Sequence, residues 1–95
     1  MIGLSSIYFV DFKGNYLVSR SYKDDVSEEQ VNRFISKLID EQDELALKPI
    51  LEENAASFIH IKIKDIYIIA TSAKNPNAAM IVVYLYKLVN VSLWQ

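Results

Sequence analysis

The stretch Ile66 to Thr71, IYIIAT, constrains the fold more than any other part of this chain. Read as a strand, it carries apolar side chains on both faces, because successive residues of a strand point to opposite sides. Such a strand belongs at the centre of a sheet, covered on both sides. The run before it, Phe58 to Ile63, alternates: Ile59, Ile61 and Ile63 face one way, and Phe58, His60 and Lys62 the other. Only Lys64-Asp65 separates the two runs, so they form a hairpin, although the pair lacks the Asn-Gly chemistry usual in a two-residue turn.

Two segments have the pattern needed to cover this sheet. Ser27 and Gln30 form a capping box, Glu28 and Glu29 suit the positive end of a helix dipole, and Val31, Phe34, Ile35, Leu38 and Ile39 recur at spacings of three and four. That stripe faces a core, and the helix is expected to fade near Glu44 to Ala46, ahead of Pro49. The second segment starts at KNPNAAM, where Asn75 or Asn77 can cap and Pro76 fits a first turn. From Ala78 to Val91 it is apolar almost all round, with Lys87 as the only charge, and is expected to be buried by more than one neighbour.

The N-terminal part supplies a second hairpin. Ile7 to Phe12 reads as a strand, Lys13-Gly14-Asn15 as a turn and Tyr16 to Tyr22 as the returning strand. Strict alternation puts Tyr16, Val18, Arg20 and Tyr22 on one face and Leu17, Ser19 and Ser21 on the other. Pro49 to Glu53 suits a short edge strand. The order β-β-α-β-β-β-α, with hairpin-length turns, indicates an antiparallel α+β sheet flanked by helices. Residues 1–95 are read as one domain without a linker.

Composition narrows the function more than it identifies it. The net charge is −2 with acids and bases interspersed, which argues against a nucleic-acid partner. No cysteine is present, which removes thiol nucleophiles and thiolate metal sites and favours a reducing compartment. Ala78 to Trp94 is too short to span a bilayer comfortably and is interrupted by Lys87. His60 is the only histidine, and no serine or aspartate spacing turns it into a triad; it reads as structural or as a surface group. Neither Gly3 nor Gly14 lies in a phosphate-binding loop, and acidic pairs such as Asp24-Asp25 and Asp43-Glu44 lack the spacing of a calcium loop. Asn90-Val91-Ser92 fits a glycosylation pattern that a cytosolic chain would not use, and Tyr86-Lys87-Leu88-Val89 fits a tyrosine sorting pattern but lies in a helix. No enzyme activity, metal or cofactor is expected.

One stretch carries more polar detail than a hairpin needs. In IYFVDFKGNYLVSRSYKDD, the residues Leu17, Ser19, Arg20, Tyr22, Lys23, Asp24 and Asp25 follow an apolar strand and a Lys-Gly turn. This resembles the N-terminus of the medium (mu) subunits of clathrin adaptor complexes, with lysine at position 23 where arginine is commoner. LKPILEENAASFIHIKIKDIYIIATSAKN and NAAMIVVYLYKLVNV resemble the following segments, so the likeness runs from about Ile2 to Val91. PIL at Pro49 to Leu51 and ATSAKN at Ala70 to Asn75 look nearer to the Golgi and endosomal adaptor, while NAAM at Asn77 to Met80 leans toward the plasma-membrane one.

The resemblance implies a longin-like fold and a non-enzymatic, scaffolding role. The domain would dock against a large adaptin subunit within a heterotetramer, on the cytosolic face of Golgi, endosomal or clathrin-coated vesicle membranes, with only indirect membrane contact. It implies interface candidates at Arg20, Tyr22, Asp25, Met80, Tyr84, Leu88 and Trp94. The family's longin-type domain carries a third helix, before which this chain ends, and the cargo-reading β-domain lies outside these residues, so cargo recognition is not carried over. A free-standing longin-type trafficking or SNARE-associated regulator is the alternative.

Overall fold

The computed structural model describes residues 4–53, 55–73 and 77–94, the side chains of residues 78 and 91–94 excepted. A five-stranded antiparallel sheet is built from β1 (Ser6–Asp11), β2 (Tyr16–Ser21), β3 (Ile50–Glu53), β4 (Ala56–Ile63) and β5 (Ile66–Ser72), in the spatial order β2-β1-β5-β4-β3. Helices α1 (Glu28–Asp40), α2 (Gln42–Leu45) and α3 (Ala78–Trp94) complete the chain.

β5 sits at the centre, as its two apolar faces require. Tyr67 and Ile69 belong to the cluster that includes Val31, Phe34, Ile35 and Leu38 of α1. Ile68 and Ala70 belong to the opposite cluster, with Ile81, Leu85 and Val89 of α3. β4 divides in the same way, with Phe58 on the α1 face and Ile59 and Ile61 on the α3 face. Burying a large apolar side chain contributes about 1.5–3 kcal/mol, so the two clusters together are the main favourable term. Phe34 and Phe58 stack with their ring centres 4.6 Å apart, joining α1 to β4. β1 and β5 are joined by a buried bond between the Ser6 and Thr71 hydroxyls, at the point where those residues are in register.

The start of α1 follows its sequence. The Gln30 N–H donates to Ser27 Oγ at 3.2 Å, and the Ser27 N–H donates to Gln30 Oε1 at 3.1 Å. The helix does not run unbroken to its expected end. Glu41 leaves helical geometry at φ −120° and ψ 41°, and a separate turn, α2, follows. This extra helix is absent from the expected element order, and it places Leu45 in the α1-side core. At the other helix, Asn77 is the observed cap: its backbone carbonyl accepts from the Ile81 N–H and its side chain from the Met80 N–H at 3.3 Å. The alternative cap, Asn75, and the expected first-turn residue, Pro76, lie outside the described residues.

Two expectations are corrected. Strict alternation along Tyr16 to Tyr22 fails because the β1–β2 register shifts between Phe9, opposite Val18, and Val10, opposite Tyr16. Leu17 is the extra residue of this bulge, so Tyr16 lies with Val10 on the α1 face while Val18 lies with Phe9 on the α3 face. The Tyr16 hydroxyl accordingly donates to Asn32 Oδ1 of α1. The last helix is also not buried all round. α3 rests one side on the sheet and leaves Met80, Val83 and Tyr86 about half exposed, at 48–50%.

Besides Ala55 in the β3–β4 turn, at φ 64°, two turns hold residues in left-handed backbone geometry. Gly14 has φ +93°, and a Cβ there would lie 3.4 Å from Ile35 Cγ2. Lys64, the first residue of the β4–β5 turn, has φ 56°, a conformation that costs a residue with a side chain about 1–2 kcal/mol. Thermal melting should separate the two. Gly14→Ala is expected to lower stability by about 1–2 kcal/mol, and Lys64→Gly to raise it by roughly 0.5–1 kcal/mol, each kcal/mol moving Tm by about 4–8 °C.

Candidate functional site

The side chains with catalytic potential are held in structural roles. His60 is 4% exposed on the α1 face, with its ring centre 5.7 Å from that of Phe34. Its Nε2 lies 3.0 Å from the Leu45 carbonyl, which can only accept, so Nε2 carries the proton. Nδ1 is then a bare acceptor, buried and without a partner. Burial holds the imidazole below the usual histidine range, against the smaller opposing effect of the Leu45 hydrogen bond. Through the Leu45 carbonyl the buried ring ties the end of α2 to β4. Among the described residues, no group of three or more His, Asp or Glu side chains is placed to hold a metal ion.

Asp11 is likewise a turn residue. Its Oδ1 accepts from the Lys13 N–H at 2.9 Å and the Asn15 N–H at 2.8 Å, and its Oδ2 from Asn15 Nδ2 at 3.1 Å. These donors, the Asn15 backbone first, hold the carboxyl below its ordinary range. The arrangement closes the KGN turn that sequence predicts.

The remaining candidate is surface. α3 packs on β4 and β5, and Val82 and Tyr86 line its flank toward the outer edge of β4. Two residues advance a helix by more than half a turn, so Tyr84 and Leu88 lie on the opposite flank, toward β1. Both are half-buried against the α3-side cluster. On that side the sheet is thinly covered. Phe9 is half-buried, its register partner Val18 is 44% exposed, and an apolar groove of about 410 Å³ opens among Phe9, Ile63, Ile66, Ile68 and Val89.

The sequence candidates divide accordingly. Arg20 pairs with Ile7 in register, which puts it on the α3 face of the edge strand, the same side of the sheet as Tyr84 and Leu88. Tyr22 is 48% exposed at the strand's end, with its N–H donating to the Ser5 carbonyl at 2.8 Å. Asp25 is exposed in the loop before α1, apart from the α3 group. Met80 is half exposed on the outer side of α3. The Trp94 side chain lies outside the described residues. Val18, Val83 and Tyr86, all surface apolar, escaped the sequence reading: an all-apolar helix does not reveal which side faces out, and the bulge at Leu17 has no local signature.

No family model matches the chain. Among curated proteins it is similar to the AP-1 complex subunit mu of Dictyostelium discoideum, 42% identical over 87 residues, covering 92% of this chain and 20% of that protein. The AP-1 complex subunit mu-2 of Homo sapiens is 37% identical over 87 residues, covering 92% of this chain and 21% of that protein. The AP-1 complex subunit mu-1 of Arabidopsis thaliana is 34% identical over 88 residues, with the same two shares. The chain thus spans about one fifth of the length of these relatives. This likeness supports an adaptor mu-subunit domain.

The geometry of His60 makes stability depend on pH. The unfolded chain's histidine titrates near 6.5, and the folded one lower, so below about pH 6.5 the unfolded state binds more protons. Stability is therefore expected to be flat above about pH 7 and to fall as pH drops through 6.5 toward the folded value. Urea unfolding at pH 7.5 and 5.5 checks this. His60→Gln, which keeps a donor for Leu45, should be less stable at both values but lose most of the difference between them.

Proposed function

We propose that this chain is a longin-type domain of a clathrin adaptor medium subunit, of the Golgi and endosomal type, acting in vesicle-mediated protein transport without enzymatic activity. The reading rests on one observation: a similarity to AP-1 mu subunits that covers 92% of the chain. In this reading residues 1–95 belong to one domain that docks against a large adaptin subunit, with Arg20, Tyr22, Asp25, Met80, Tyr84, Leu88 and Trp94 as interface candidates.

The physical support is the half-exposed apolar surface of α3 together with Val18 on the edge strand. An α-helical partner can lie against such a surface, and burial of Met80, Val83 and Tyr86 would supply the affinity while Arg20 sets orientation. Membrane association would be indirect, on the cytosolic face, through the assembled coat. Among the described residues no helix is long and apolar enough to cross a membrane.

Co-expression with the trunk of a large adaptin should give a pair that survives affinity and size-exclusion chromatography. The double change Met80→Glu and Val83→Glu should abolish co-purification while leaving the Tm of the isolated chain within a few degrees, because both side chains are half exposed. If the unaltered chain does not co-purify under conditions where a full-length medium subunit does, the docking role is wrong.

A further inference from the structure

β4 outruns its edge partner. β3 pairs with it only from Ile50 opposite Ile59 to Glu53 opposite Ala56, whereas β4 continues to Ile63. The last bond on that edge runs from the His60 N–H to the Pro49 carbonyl at 2.8 Å. Proline has no N–H to return, so Pro49 leaves the His60 carbonyl without its ladder donor. Antiparallel alternation then directs the N–H and C=O of Lys62 to the same open edge, while those of Ile61 and Ile63 face β5. Continued pairing would bring Leu47 opposite Lys62. Leu47 instead turns its N–H to the Glu44 carbonyl, and its side chain is 85% exposed.

The result is a notch in the sheet edge with one donor and two acceptors in ladder geometry. A cavity of about 380 Å³ opens there, walled by Lys62, Tyr67 and Asp43 on the α1 side and by Ile61, Val82 and Tyr86 on the α3 side. The Lys62 amine lies 5.6 Å above the Tyr67 ring, and among the described residues no carboxylate pairs with it. The Asp43 charge acts instead on the Tyr67 hydroxyl, whose ionisation it opposes after burial.

We propose that this notch binds a short extended peptide segment of apolar-acidic-apolar sequence from a partner protein, as an added strand beside Lys62. Unpaired strand-edge groups are complementary to another extended backbone, which fixes the conformation of the occupant. Alternation fixes its sequence. The residue opposite Lys62 points to the α1 face, where the unpaired ammonium favours a carboxylate, and its two neighbours point to the α3 face against Ile61, Val82 and Tyr86. With only two or three ladder bonds available, the contact is weak alone and acts as a specificity element beside a larger interface. It does not depend on the adaptor reading.

The test titrates the ¹⁵N-labelled chain with the blocked peptide Thr-Val-Glu-Val-Thr. Amide shifts should concentrate at His60 to Ile63, Val82 and Tyr86, and exchange of the Lys62 amide should slow at least tenfold at saturation. Methylating the glutamate nitrogen, the donor to the Lys62 carbonyl, should weaken binding at least tenfold. Thr-Val-Lys-Val-Thr should bind several-fold more weakly, and Lys62→Glu should reverse that preference. Equal binding of the methylated peptide, or shifts without protection of Lys62, would overturn the proposal. So would protection of Lys62 that rises with chain concentration in the absence of peptide, which would assign the edge to a second copy of the chain.

Discussion

The rest of this structure depends on burying both faces of β5. A strand with Tyr67 and Ile69 on one side and Ile68 and Ala70 on the other cannot rest on a single layer. The chain answers with α1 on one face and α3 on the other, and with β1 and β4 alongside. The cover is unequal. α1 brings an amphipathic stripe that ends cleanly in solvent-facing polar residues, and its cluster closes around Phe34, Phe58 and His60. α3 brings an almost wholly apolar helix to a face it covers chiefly over β4 and β5. Residual apolar surface therefore collects on the α3 side, where docking is proposed.

How much of this was legible depends on how local each signal is. The β4–β5 hairpin, the Ser27–Gln30 capping box and the inward stripe of α1 are set by neighbours in sequence, and each appears where the pattern puts it. The bulge at Leu17 is different, because register is decided between strands and one extra residue moves Tyr16 to the other face. The break at Glu41 is another case. Nothing in the run KLIDEQDEL at positions 37–45 marks it, and its consequence is tertiary, a leucine in the core and a carbonyl for His60. His60 was assigned a structural or surface role, and burial against Phe34 decides for the first.

The candidate site was legible only in part. Arg20 and Tyr22 stood out because a hairpin does not need them, and the fold puts both on exposed backbone of the edge strand or just beyond it. The outward side of α3 was not legible, since periodicity carries no direction when nearly every position is apolar. The notch beside Lys62 was hidden for a further reason. Pro49 reads as an ordinary edge-strand proline until the register shows which carbonyl it leaves without a donor.

The central claim is that a β5-centred sheet carries α3 with its outer side uncovered, ready for a partner. Amide hydrogen exchange, measured on the chain alone and on the chain bound to a large adaptin trunk, tests this most directly. The account predicts that the β5 amides are already the most protected in the free chain and change little. It predicts that the added protection on binding falls on α3 and on the exposed end of β2. Protection gained mainly along α1, with α3 unchanged, would contradict it.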